Sequence, residues 1–169
     1  MESLTFAALG VLPVLMIVAG LHDLTTMKIP NWISLALLAA FFPAALLVGL
    51  SGGEIAIHVG VGVAALLVGM ALFALNWVGG GDAKLLAAGC LWMGQTGALV
   101  FVLYSAVIGG VFCLALISAR KIAPGYPGVP AWATRLLEPD GDVPYGVALA
   151  GGALLAIPSS ALVTAFVGG

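Results

Sequence analysis

Runs of about twenty apolar residues, broken only by short polar or glycine-rich punctuation, constrain this chain more than any other feature. A segment of about 20 such residues, rising roughly 1.5 Å per residue, crosses the hydrocarbon core of a bilayer. Lipid offers its backbone no partners, so the segment must bond internally as a helix. By that ruler six segments emerge: Leu4 to Leu21, Trp32 to Leu50, Ile55 to Leu75, Ala83 to Gly94, Ala98 to Ser118 and Tyr145 to Val167. The fold class is therefore all-α, a polytopic membrane protein of about six transmembrane helices forming one membrane-embedded domain over residues 1–169. With 63% hydrophobic and only 7% charged residues, the chain leaves no room for a soluble alternative.

The fourth segment is short. Ala83 to Gly94 makes only about 18 Å of helix, so either Asp82 or the "GQTG" turn after it lies below the lipid surface. The sequence leaves that choice open. The N-terminal run lacks a basic flank and a small-residue cleavage site, and is expected to be a retained helix.

Lys and Arg in short loops stay on the cytoplasmic side. All five fall on one face: Lys28 between the first two helices, Lys84 after the loop that follows the third, and Arg120, Lys121 and Arg135 between the fifth and sixth. The other face carries Glu2 and Glu54, which places both termini outside the cytoplasm and puts Asp23 and Asp82 at the cytoplasmic boundary. The basic residues form no strip that could follow a phosphate backbone, and nucleic acid is excluded as a partner. Cys90 and Cys113 stand apart, with no CxxC pattern and no histidine at ligand spacing, and read as small hydrophobes; no metal and no cofactor is expected. The 24 glycines suit close helix contact where lipid supplies no drive for association. Only the stretch from Ala119 to Val143 is long and proline-rich. It offers an interfacial segment around Trp132 to Leu137, or a cover over a site.

An ionisable side chain in or near lipid costs about 2.5–3.5 kcal/mol at a helix centre, which makes each one a functional hypothesis. Most have simpler readings. Glu54 suits the N-terminus of the third helix; His58, one turn on, reads as interfacial polarity or as a partner for Glu54. Glu138, Asp140 and Asp142 read as a solvated acidic loop. Asp23 and Asp82 differ, because each marks the boundary between a spanning helix and a structured turn on the same face. Asp23 stands in "HDLTTMKIPN", where Pro30 pushes Ile29 out of helical angles and Asn31 is placed to cap the second helix. Asp82 follows three glycines, whose backbone freedom lets a helix begin close to a bound group. Asp82 alone also reads as an ordinary N-cap. Two carboxylates brought within a few ångströms cannot both ionise easily; sharing one proton, they can activate a water and protonate a leaving group. Neither histidine has an evident serine partner and no G-x-S-x-G elbow is present, so serine chemistry has little support.

At these residues the chain resembles the bacterial type IV prepilin peptidases, and among them the short members associated with Flp or Tad pili. The likeness spans most of the chain: Asp23 with Lys28, Ile29, Pro30 and Asn31; the G-x-G-D motif at Gly79, Gly80, Gly81 and Asp82 running into "AKLLAA"; and Val143, Pro144, Tyr145 and Gly146 at the last helix. It implies that Asp23 and Asp82 are the catalytic pair of an aspartic endopeptidase. Gly79, Gly81, Lys84, Pro30 and Asn31 then shape the turns. The implied partner is a prepilin, a basic leader followed by an apolar helix, cut at the cytoplasmic face of the inner membrane. Glu138, Asp140 and Asp142, with Pro144 and Tyr145, are candidates for docking that leader. Longer relatives also methylate the new N-terminus and carry a zinc-binding cysteine insert between the first two helices. Here only "HDLTTMKIPN" stands there, with Thr25 and Thr26 where relatives are often more basic. Proteolysis without methylation, and no separate methyltransferase domain, is expected. The alternatives from other classes are a small cation or proton transporter using the same aspartates, and a non-enzymatic membrane subunit of a secretion system.

Overall fold

A computed structural model describes residues 2–122, 131–138 and 141–168. They form α1 (Glu2–Thr26), α2 (Asn31–Val48), α3 (Gly52–Ala74), α4 (Gly80–Ile122), a short α5 (Ala131–Leu136), α6 (Tyr145–Ala156) and α7 (Ala161–Gly168), with a 3₁₀ turn over Ile157–Ser159 joining the last two. Among the described residues the fold is all-α, as expected, with five stretches long and apolar enough to cross a membrane. Leu46, Leu67 and Val111 face outward and are mostly exposed, a placement that suits lipid as the surrounding solvent.

Punctuation in the sequence becomes helix ends. At the end of α2, Gly49 takes a left-handed φ of 89°. Its N–H bonds the Leu46 carbonyl and that of Leu50 bonds Ala45, closing the helix with a Schellman motif. Ser51 opens α3 in a capping box with Glu54, so the acid does serve the helix start. No Glu54–His58 pair forms. Glu54 turns back to Ser51, while His58 goes inward, 3% exposed, and donates from Nδ1 to the Leu91 carbonyl at 2.7 Å. His58 is not interfacial polarity.

Close contacts at small residues fix the helix directions. Gly20 and Gly146 bring α1 against α6 in antiparallel sense, while Gly62 and Gly69 bring α3 against Leu91 and Ala83 at the start of α4. Further along α4, Gly97 approaches Ser159, Ser105 approaches Gly152, and Gly109 approaches Tyr145, again antiparallel. The two parts of α4 therefore run in opposite directions. The Phe101 ring lies against Gly89, whereas uninterrupted helix would separate those residues by about 18 Å. The break is Gly94, with φ 67° and ψ −169°. α4 is thus a hairpin of two arms, α4a before Gly94 and α4b after it, which matches the fourth and fifth predicted segments and gives six passes.

This turn also settles which end of the fourth segment is submerged. Gly94 is buried against His58 and Ala161, about 18 Å from the level of Asp82, whereas α1 continues about 30 Å from Asp23 toward the far end of the bundle. The turn stops short of that end. Carbonyls released by the break find side-chain donors, Leu91 from His58 and Trp92 from the Ser160 hydroxyl at 3.0 Å, as an apolar environment requires. Trp92 itself is buried and donates its indole N–H to the Leu37 carbonyl at 2.8 Å, tying α4a to α2. Of the two cysteines, Cys90 is buried and Cys113 partly exposed.

Candidate active site

The last turn of α1 is closed by its own polar side chains. Thr26 donates its hydroxyl to the His22 carbonyl at 2.8 Å, and His22 Nδ1 donates to the Lys28 carbonyl at 2.7 Å. Met27 adopts a φ of 56° and ends the helix. The threonines at this turn thus serve the backbone. Ile29 lies between the two helices, and Pro30 follows at φ −64°, ψ 136°. Pro30 itself holds the cap position of α2 with no side-chain bond. Asn31, expected to cap α2, is instead its first residue, and its Oδ1 accepts from Lys84 Nζ at 2.9 Å. That bond ties the starts of α2 and α4 together.

Asp23, one turn before the end of α1, is 5% exposed. Its Oδ2 accepts the backbone N–H of Gly146 at 2.8 Å, a charge-assisted bond from the first turn of α6 that fixes the carboxylate. Asp82 is the third residue of α4 rather than its N-cap. Its Oδ1 is buried without a hydrogen-bond partner, and its Oδ2 lies over Gly79, 2.7 Å from where a Cβ there would stand.

None of Gly79, Gly80 and Gly81 has a positive φ, so the three glycines are not there for unusual backbone angles. They allow close approach: Gly79 to the Asp82 carboxylate, Gly80 to the Phe73 ring, and Gly81 to Ile29, whose Cβ is 3.1 Å from a Cβ built on Gly81. Ile29 also reaches Gly146, its Cδ1 3.0 Å from a built Cβ. One side chain thereby holds the two aspartate-bearing turns and α6 in register.

Asp23 and Asp82 line one cavity of about 720 Å³, walled by Met27, Trp77, Gly79, Asp142, Pro144 and Tyr145 among others. Asp23 acts electrostatically on Asp82, and Asp82 on Tyr145. Of the expected docking residues, Asp142, Pro144 and Tyr145 reach this cavity, Glu138 is exposed beyond it, and Asp140 lies outside the described residues. The stretch around Trp132 forms the short helix α5.

Two contributors escaped the sequence reading. The amide of Gly146 was seen only as part of a motif, since a backbone donor leaves no signature in side-chain type. Arg120 was counted only for topology. Its Nε donates to the Leu136 carbonyl at 2.9 Å and its Nη2 to that of Asp142 at 3.0 Å, so it gathers the segment that leads into Pro144. An arginine just past a spanning helix was the available signal, but nothing in the sequence named its acceptors.

Fold and site together define a multi-pass membrane protein with two carboxylates, from helices far apart in sequence, facing one cavity at one end of the bundle. The chain belongs to the type IV leader peptidase family, whose model matches residues 10–114, a span that includes both aspartates. It is accordingly a leader-peptidase-type protease of the membrane. No curated protein and no solved structure matches the chain significantly.

Proposed function

We propose that this protein is an aspartic endopeptidase that removes the basic leader from Flp-type prepilins at the cytoplasmic face of the inner membrane, without methylating the product. The observation that carries the reading is the convergence of Asp23 and Asp82 on one cavity, Asp23 fixed by Gly146 and Asp82 left with a buried, unpartnered oxygen. With no protein partner, that oxygen keeps a hydrogen-bonding capacity that a purely structural carboxylate would have spent.

Membership of the leader peptidase family supplies the substrate class. The Flp type, the cytoplasmic side and the absence of methylation rest on the sequence: the short turn between α1 and α2, and the five basic residues on one face. In the mechanism, the charged member of the pair takes a proton from water as the water attacks the scissile carbonyl. The protonated member donates to the carbonyl oxygen, and the nitrogen leaves as an amine after taking a proton from the pair. Gly146 holds Asp23 in place through both steps. The substrate's apolar helix remains in lipid while its leader enters the cavity beside Asp142 and Tyr145.

The test is gel-resolved cleavage of a Flp-type prepilin by the purified protein in lipid, comparing wild type with Asp23→Asn and Asp82→Asn. Cleavage by the wild type alone is expected. Normal cleavage by both variants overturns the aspartate pair, and ion flux in liposomes without cleavage turns the reading to transport.

A further inference from the structure

A second cavity, about 530 Å³, opens on the opposite side of α4a, between α2 and α3. Those two helices follow one another in sequence yet do not pack along their lengths; each packs on α4. They meet at Phe41 and His58, whose ring centroids are 5.3 Å apart. Toward the Asp23–Asp82 end they part. The groove so formed is floored by Gly62, Ala87 and Ala88 and walled by Leu35, Phe42 and Leu66. Its polar groups, Asn31, Ser34 and Lys84, sit together at the open end.

Position on the helix separates this groove from the catalytic cavity. Asp82 and Lys84 are two residues apart, about 200° around the helix, and the acid enters one cavity while the base enters the other. Lys84 is exposed and bonded to the neutral Asn31. No carboxylate pairs with it among the described residues, so the mouth of an apolar groove carries an uncompensated positive charge.

Length and charge choose the occupant. From Asn31 to Phe42 the groove runs about 16 Å, half of the roughly 30 Å hydrocarbon thickness, and ends where Phe41 meets His58. A partner's spanning helix would have to continue past that closure. An acyl chain of one leaflet has the right length and cross-section, and its headgroup would lie beside Lys84.

We infer that the α2–α3–α4a groove is a binding site for an anionic phospholipid of the leaflet on the Asp23–Asp82 side, its acyl chain along Ala87 and Ala88 and its phosphate on Lys84. The lipid fills the gap between α2 and α3 and braces α4a, the helix whose first turn carries Asp82. This site is independent of the proteolytic reading.

Native mass spectrometry of the full chain in non-ionic detergent tests it, by titration with phosphatidylglycerol and with phosphatidylcholine of identical acyl chains. Wild type is expected to bind phosphatidylglycerol about fivefold more tightly, the effect of one lysine near an anionic headgroup. Lys84→Met should bring the ratio close to one, and Ala88→Phe should weaken both lipids by occupying the floor. Should Ala88→Phe not fold, the Lys84→Met ratio decides. Equal affinity for the two lipids in the wild type, or a preference that survives Lys84→Met, overturns the inference. So does displacement of bound phosphatidylglycerol by a spanning apolar peptide, which would give the groove to a helix.

Discussion

Substituting Gly146 by alanine perturbs the aspartate pair without replacing either carboxylate. A Cβ at that position would lie 2.9 Å from both the Cβ and the Oδ2 of Asp23, and 3.0 Å from Ile29 Cδ1. Carbon atoms settle at about 3.5–4.0 Å, so α1 and α6 must separate by roughly 0.5–1 Å. The bond from the Gly146 amide to Asp23, 2.8 Å in the wild type, would lengthen to roughly 3.3–3.8 Å, weakened or broken. A hydrogen bond to a charged group contributes about 1.5–3 kcal/mol, which corresponds to roughly 10- to 150-fold in rate if it is needed in the transition state. Displacements of about 1 Å have costs of similar size.

The assay is initial-rate prepilin cleavage in lipid, with kcat and KM separated. A comparison variant, Gly110→Ala, places its methyl group in open space. Gly146→Ala should lose kcat by one to two orders of magnitude with KM little changed, and Gly110→Ala should match the wild type. Wild-type kcat in Gly146→Ala would refute the argument that this amide positions Asp23.

Arg120→Ala removes both donors that gather the segment before Pro144; faster hydrogen exchange over residues 136–142 and a several-fold rise in KM are expected, and unchanged exchange would count against the clamp. Neutralising Glu138, Asp140 and Asp142 together should raise KM for a basic leader most clearly at low salt, as rim charges do; a salt-independent KM would remove the steering idea. His58→Phe strands the Leu91 carbonyl inside the bundle and should lower stability by about 1–3 kcal/mol, read as an earlier thermal unfolding transition in the same detergent; an unshifted transition would show that the carbonyl finds another donor.

Much of this architecture was legible because lipid imposes a single ruler on every span. The six passes, and the placing of Asp23 and Asp82 at one end of the bundle, followed from the length and punctuation of apolar runs, although α3 begins at Gly52 where the run suggested Ile55. What was not legible depends on contacts between distant helices. "GQTG" announced a turn, but its depth became known only once His58 and Ser160 supplied donors to the carbonyls of Leu91 and Trp92. The same blindness hid His58, whose partner lies across the bundle on α4a. The three glycines before Asp82 suggested angular freedom, yet their use is proximity, a property of neighbours that a local reading cannot see. Lys84 looked like part of the aspartate motif and faces the other way.

The turn at Gly94 has a bearing on how the protein is made. Its released carbonyl at Trp92 is capped by Ser160, and Asp23 in α1 accepts the amide of Gly146. Both partners lie in α6 and the turn after it, which are synthesised after both aspartates. A nascent chain that already displays Asp23 and Asp82 therefore lacks the support that aims one of them, and the cavity between them takes its shape only when α6 packs against α1.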